Sequence, residues 1–260
     1  LAIRGFTNGY HGADYSASGF FFSQDRGRQW AGMVPFAGLE GEAELAGWEL
    51  TARTSYLPLA TRRALFFLSA RRPGGEASNA SGWGSDRVFC TETVDGGNRF
   101  RFLSWIVGPQ DPYRAVMPSV VRLPSGALVS AVRRRDMAQP TGWIDAYYSR
   151  DSGRRWDFAA RVAETGQDNG NPPALASLRD GRIVCVYGNR SRRQMLISTS
   201  EDEGASWGAP AVLHEGYASY KEDADFGYPR LLQRSDGNLV AIYYWADARQ
   251  PWQHIRASIW

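Results

Sequence analysis

The run DFGYPRLLQR brings three reactive side-chain types to the head of one strand-like segment: the carboxylate of Asp225, the phenol of Tyr228 and the guanidinium of Arg230. Residues two apart on a strand share a face, so Tyr228 and Arg230 are expected to point the same way. A phenol can serve as nucleophile or base, a carboxylate can exchange a proton, and a planar guanidinium grips carboxylates. Further arginines follow apolar runs of the same kind: Arg133 to Arg135 in AVRRRD and Arg190 in VYGNR, with Arg53 in TARTSY as another candidate. Several forks aimed at one point would select an acidic ligand. In the N-terminal stretch LAIRGFTNGYHGADYS, Arg4, His11 and Asp14 lie near one another in the chain, and His11 or Asp14 is suited to acid–base work.

What must position these residues is a repeat. The frame Ser/Thr-x-Asp-x-Gly-x-x-Trp/Phe occurs as SQDRGRQW from Ser23, TVDGGNRF from Thr93, SRDSGRRW from Ser149 and SEDEGASW from Ser200. Each copy follows a β-type run. Asp accepts bonds from turn amides, Gly permits positive φ, and the closing aromatic is expected to tuck against the strands it joins. A second repeat, offset from the first, aligns MPSVVRLPSGALVSAV, PPALASLRDGRIVCVY and YPRLLQRSDGNLVAIYY on Gly126, Gly181 and Gly237, spaced 55 and then 56 residues apart. Met117 and Pro172 then fall in register with Tyr228, so only the last of the three units places a phenol there.

Four antiparallel strands per unit of roughly 50 residues is the blade of a β-propeller, and a sandwich gives no reason for so regular a period. The expected fold is all-β, a single propeller domain over residues 1–260. Five blades are recognisable, the first without its innermost strand and the last without its outermost. The missing first strand suggests an N-terminal truncation and six blades in the intact protein.

Composition narrows the function. The net charge is +3 and the arginines are scattered, which argues against a nucleic-acid surface, and no apolar run approaches a membrane span. No signal peptide is recognisable. Cys90 and Cys185 each sit in a strand-like apolar run and read as buried thiols, not as a disulfide framework. No spacing of His, Cys and carboxylates is of metal-ligand type, and no cofactor is implied.

The four eight-residue frames are similar to Asp boxes, and the chain resembles the sialidase (neuraminidase) superfamily, in its branch of bacterial BNR-repeat propellers. The resemblance implies that the Asp boxes lie on the outer rim, so Asp25, Asp151 and Asp202 are structural. It implies three arginines clamping the substrate carboxylate, an acid/base Asp on a first-blade loop and a Tyr nucleophile with a Glu partner. GYPR places Tyr228 on the nucleophile, and the first stretch places Arg4 and Asp14 on an arginine and the acid/base. Sialidases depart from the two-carboxylate glycosidase pattern. A carboxylate nucleophile would meet the substrate's own carboxylate unfavourably.

Two features differ from the family pattern. No Arg-Ile-Pro strand supplies the first clamp arginine, and the strand expected to carry the Glu begins NGNPPAL, with Asn171 and no carboxylate. Asp225 is then the candidate partner for Tyr228, while Arg4, His11, Arg53, Arg133, Asn171, Arg190 and Arg230 are the candidate substrate contacts. The implied activity is exo-sialidase-like hydrolysis of sialosides or a related acidic glycan. A uronate lyase using Tyr228 or His11 as base, or a non-catalytic glycan-binding propeller, remains open. The family favours a secreted or periplasmic location.

Overall fold

Runs such as LVSAVRRR and RIVCVYGN carry the β-branched and apolar residues that suit a pleated, buried surface, and both form strands. The computed structural model describes residues 2–4, 18–50, 55–72, 86–139, 141–167, 170–221 and 223–260. These form five antiparallel sheets in chain order. They fall into two compact units, Leu1–Pro118 with Gly153–Arg155 and Ser119–Ser152 with Trp156–Trp260.

In the first unit, Ala2–Arg4, Gly19–Phe21 and Val34–Pro35 make a three-stranded sheet. The next sheet centres on Arg63–Arg71, which pairs with Arg87–Thr93 on one side and with both Glu49–Leu50 and Ser55–Ala60 on the other. Arg101–Val107 closes it. The core is aromatic: Phe20, Phe36, Phe66 and Phe100 meet with ring centroids 5.0–5.8 Å apart. Two short 3-10 turns, Leu39–Gly41 and Ala43–Leu45, seat Leu39 and Leu45 in that core.

The second unit holds the regular repeat. One sheet runs in the order Asp157–Gln167, Thr141–Ser149, Leu128–Arg135, Arg114–Arg122, the last strand entering from the first unit at Pro118. The next is Ala174–Ser177, Ile183–Asn189, Gln194–Ser200 and Ala211–His214. The final sheet has the three strands Gly227–Gln233, Leu239–Trp245 and His254–Ile259. Both cysteines are buried in strands, and burial pushes the Cys185 thiol far up.

The meander sorts the loops into two ends. Gly126, Gly181 and Gly237 turn the first strand of a sheet into the second with φ of 87°, 92° and 93°, and the eight-residue frames turn the third strand into the fourth at that same end. The other end receives the starts of the first strands, the ends of the second and the starts of the third. In the frames the hydroxyl donates to Asp, as from Ser200 Oγ to Asp202 Oδ1 at 2.9 Å, while Asp accepts backbone N–H groups further on, as from Ser206 at 2.8 Å. The residue between Asp and Gly also adopts left-handed φ: 61° at Arg26, 81° at Gly96, 59° at Ser152 and 57° at Glu203. The closing aromatics do not all tuck in: Phe100 is 3% exposed and Trp30 48%, with Trp156 and Trp207 half-buried.

Candidate functional site

At the end opposite the frames, the strand Gly227–Gln233 begins with a break in register between Gly227 and Arg230. Gly227 has φ 95° and Tyr228 φ 51°, the latter a sparsely populated conformation for an aromatic residue. The side chain that holds this kink is Asn171. It is fully buried, accepts the Tyr228 N–H on Oδ1 at 3.3 Å and donates from Nδ2 to the Phe226 carbonyl at 2.6 Å. Its place is cleared by two glycines, since a Cβ on Gly227 would come within 2.6 Å of Asn171 and one on Gly188 within 2.9 Å. Asn171 was expected among the substrate contacts; here both ends of its amide are bonded to backbone. The same device recurs in the first unit, where Met117, φ 56°, gives its N–H to Ser69 Oγ at 3.2 Å.

The kink aims the Tyr228 phenol among charges. Burial alone would push its pKa up, but the cations of Arg133 and Arg190 and a hydrogen bond from Arg133 outweigh burial and the opposing charge of Asp225, so the phenol titrates below the ordinary tyrosine value of 10.0. Arg133 is 4% exposed and lies within the strand Leu128–Arg135, where a position beyond the strand was expected. Its neighbour Arg134 is buried toward Tyr147 and Asp145, so neither is a solvated loop charge. Arg190 follows the strand Ile183–Asn189 as expected, and its Nη2 meets Asp225 Oδ1 at 3.0 Å while its Nε is buried without a hydrogen-bond partner.

Asp225 reaches Tyr228 through an intermediary. The Tyr244 hydroxyl donates to Asp225 Oδ1 at 2.7 Å, and the Tyr244 ring stacks on that of Tyr228 at 5.5 Å and 24°. Burial, the bond to Asp225 and its charge drive the Tyr244 pKa far up, so this phenol keeps its proton. Two stacked tyrosines are thereby driven in opposite directions: Tyr228 toward phenolate and Tyr244 toward phenol.

Tyr244 was not among the residues singled out from sequence, although a signal existed. Arg133, Gly188 and Tyr244 each stand seven residues after the turn glycine of their sheet. Three equivalent positions therefore supply a cation, a gap for Asn171 and a stacking ring. Arg230, expected beside Tyr228, is exposed, and its guanidinium donates to the Pro229 carbonyl at 3.4 Å, because the register break cancels simple strand alternation. Arg4 lies in the strand Ala2–Arg4. His11, Asp14 and Arg53 fall outside the described residues.

The family model for the BNR repeat-like domain matches residues 8–241. Human Sialidase-4 is 28% identical over 264 residues, an alignment taking in 90% of this chain and 52% of that protein, so the chain spans about half the length of this relative. Among solved structures, the intramolecular trans-sialidase of Ruminococcus gnavus in complex with oseltamivir carboxylate superposes with a TM-score of 0.60 at 14% identity, covering 94% of this chain and 50% of the other. An α-L-arabinofuranosidase of Fusarium graminearum in complex with an iminosugar inhibitor gives 0.60 at 16%, covering 79% and 61%. Likeness at such identities carries the fold, a β-propeller, and the repeat frames and the family match agree with it. The chain belongs to the BNR repeat-like family of sialidase-type β-propellers.

Proposed function

We propose that this propeller is a glycoside hydrolase of sialidase type, acting on sialosides or a related acidic glycan, with Tyr228 as nucleophile. The observation that carries the reading is a phenol held by a strained, clamped backbone, hydrogen-bonded by Arg133, under the charges of Arg133 and Arg190, and titrating below its ordinary value. Strain of this kind persists only where surrounding structure enforces it, and it gathers at functional sites. In this reading the two guanidinium charges favour the phenolate, whereas in the family a Glu partner activates the tyrosine by accepting its proton. The phenolate attacks the anomeric carbon, Asp14 protonates the departing oxygen, and water then cleaves the glycosyl–tyrosine bond. In this reading Arg133 and Arg190, the two cations that act on the phenol, also meet the substrate carboxylate. Asp225 serves as the countercharge that keeps Arg190 oriented and, through Tyr244, holds the stacked ring in place.

The test is turnover of a chromogenic sialoside and of a neutral glycoside, with products identified by mass. Tyr228→Phe removes only the hydroxyl and is expected to abolish the covalent intermediate while sparing binding of free sialic acid. Undiminished hydrolysis by the variant removes Tyr228 from the mechanism. An unsaturated, ultraviolet-absorbing product from a uronate polymer would assign the lyase. Absence of turnover by the wild type across a broad panel of acidic glycans would assign the binding module.

A further inference from the structure

Beside the phenol lies a second, unassigned feature. Tyr220 and Trp252 come from different loops yet stack with ring centroids 3.9 Å apart at 36°, and both are exposed, at 50% and 60%. The sequence has a single lysine, and its ammonium, Lys221 Nζ, sits 5.5 Å from the centre of the Tyr220 ring. Two exposed rings stacked on each other make a contiguous apolar surface, and ring pairs with polar neighbours suit ligands that are apolar on one face and hydroxylated at the edge.

The platform is built rather than accidental. The two loops are zipped by Tyr220 N–H to the Pro251 carbonyl and Ala218 N–H to the Ala246 carbonyl, both at 3.0 Å. Asp247 fixes the loop that carries Trp252, accepting the N–H groups of Arg249 and Gln250 at 2.9 and 3.0 Å and pairing with Arg256 at 2.8 Å. Rings already held in place lose little freedom on binding. The platform is also continuous with the phenol site: Gln253, next to Trp252, donates from Nε2 to the Asp225 carbonyl at 2.6 Å, and the Asp225 carboxylate bonds the Tyr244 ring stacked on Tyr228. Two hydrogen bonds and one ring contact separate the two places.

We infer that Tyr220 and Trp252 form a subsite for the sugar ring joined to the acidic residue, the leaving-group side of the glycan. This rests on the acidic-glycan reading of the phenol site. A pyranose stacks its apolar face on the open side of Trp252, and its rim hydroxyls fall within reach of Lys221 and Gln253. The specificity that follows is for an extended chain over a single sugar.

Binding of three probes to the 260-residue chain separates this proposal from the reading it rests on: lactose, free sialic acid and sialyllactose. By saturation-transfer NMR and calorimetry, lactose is expected to bind the wild type and Trp252→Phe but not Trp252→Ala. The preference for sialyllactose over sialic acid is expected to fall about tenfold in Trp252→Ala, the size of one good aromatic contact. An unchanged thermal midpoint in Trp252→Ala shows that folding is intact, and Trp252→Phe keeps the comparison valid if it is not. Lactose binding equally to Trp252→Ala, or a wild type that neither binds lactose nor prefers sialyllactose, overturns the subsite. A Trp252-dependent lactose signal without any binding of sialic acid keeps the subsite and overturns the acidic-glycan reading instead.

Discussion

A half-buried phenol titrating below its usual value needs nearby positive charge, and Arg133 and Arg190 supply it to Tyr228. Removing one cation must therefore shift the titration. Arg133→Met is expected to raise the Tyr228 pKa, moving the tyrosinate absorbance step and the ascending limb of any pH–rate profile to higher pH; profiles that overlay would show that Arg133 does not set this ionisation. Asn171→Leu tests the backbone instead. It leaves the Phe226 carbonyl and the Tyr228 N–H without their buried partner, at a cost of about 1–3 kcal/mol by chemical denaturation, and turnover should fall because the phenol loses its aim. The chemistry-bearing types were readable in sequence, since Tyr228 broke a repeat whose other members were Met117 and Pro172. The clamp was not. Asn171 meets Tyr228 from 57 residues away, and a left-handed φ on a tyrosine leaves no mark in composition.

The strands and their turns were legible because each signal is local: a glycine at positive φ, or an Asp within four residues of the amides it bonds. How deeply each frame packs was not local, and there the repeat misled. Phe100 fills an aromatic cluster while Trp30 stands half in water. Phe100→Ala is expected to cost about 3–5 kcal/mol, and Trp30→Ala no more than about 1 kcal/mol; equal losses on thermal or urea unfolding would mean that the frames act alike despite their burial. The frames also predict acid sensitivity. The N–H groups of Gln29 and Arg99 hold the carboxyls of Asp25 and Asp95 below their ordinary 3.8, and Ser206 does the same for Asp202. A folded value below the unfolded one means stabilisation fully present above the ordinary value and lost as pH falls through the lower one. The thermal midpoint should drop below about pH 4, and less steeply in Asp95→Asn with Asp202→Asn; parallel curves would remove the frames from the effect.

Across the molecule, what the repeat does not individualise is as telling as what it does. On the final sheet Val240 pairs with both Leu232 and Ile259, and Tyr244 pairs with Ile255, which sets one apolar face across three strands. Leu232 is 51% exposed, Ile242 41%, Ile255 75% and Ile259 56%. Such a face, ending in an edge strand, invites association. The 260-residue chain is expected to bind an apolar fluorescent dye and to self-associate with concentration, and Ile255→Lys with Ile259→Lys to reduce both; light scattering and dye emission that do not respond to the charges would contradict this. The last three sheets and their order could be counted from the turn glycines, but which face is left bare depends on neighbours that a single repeat does not encode. The lone lysine has a practical sequel. An amine-directed fluorophore finds one side chain among the 260 residues, Lys221, seated against the Tyr220 ring. A protease that cuts only after lysine has a single bond to cleave, in the loop ahead of the final sheet. Label emission and the rate of that one cut therefore both report whether a sugar is resting on the rings, without any change to the sequence.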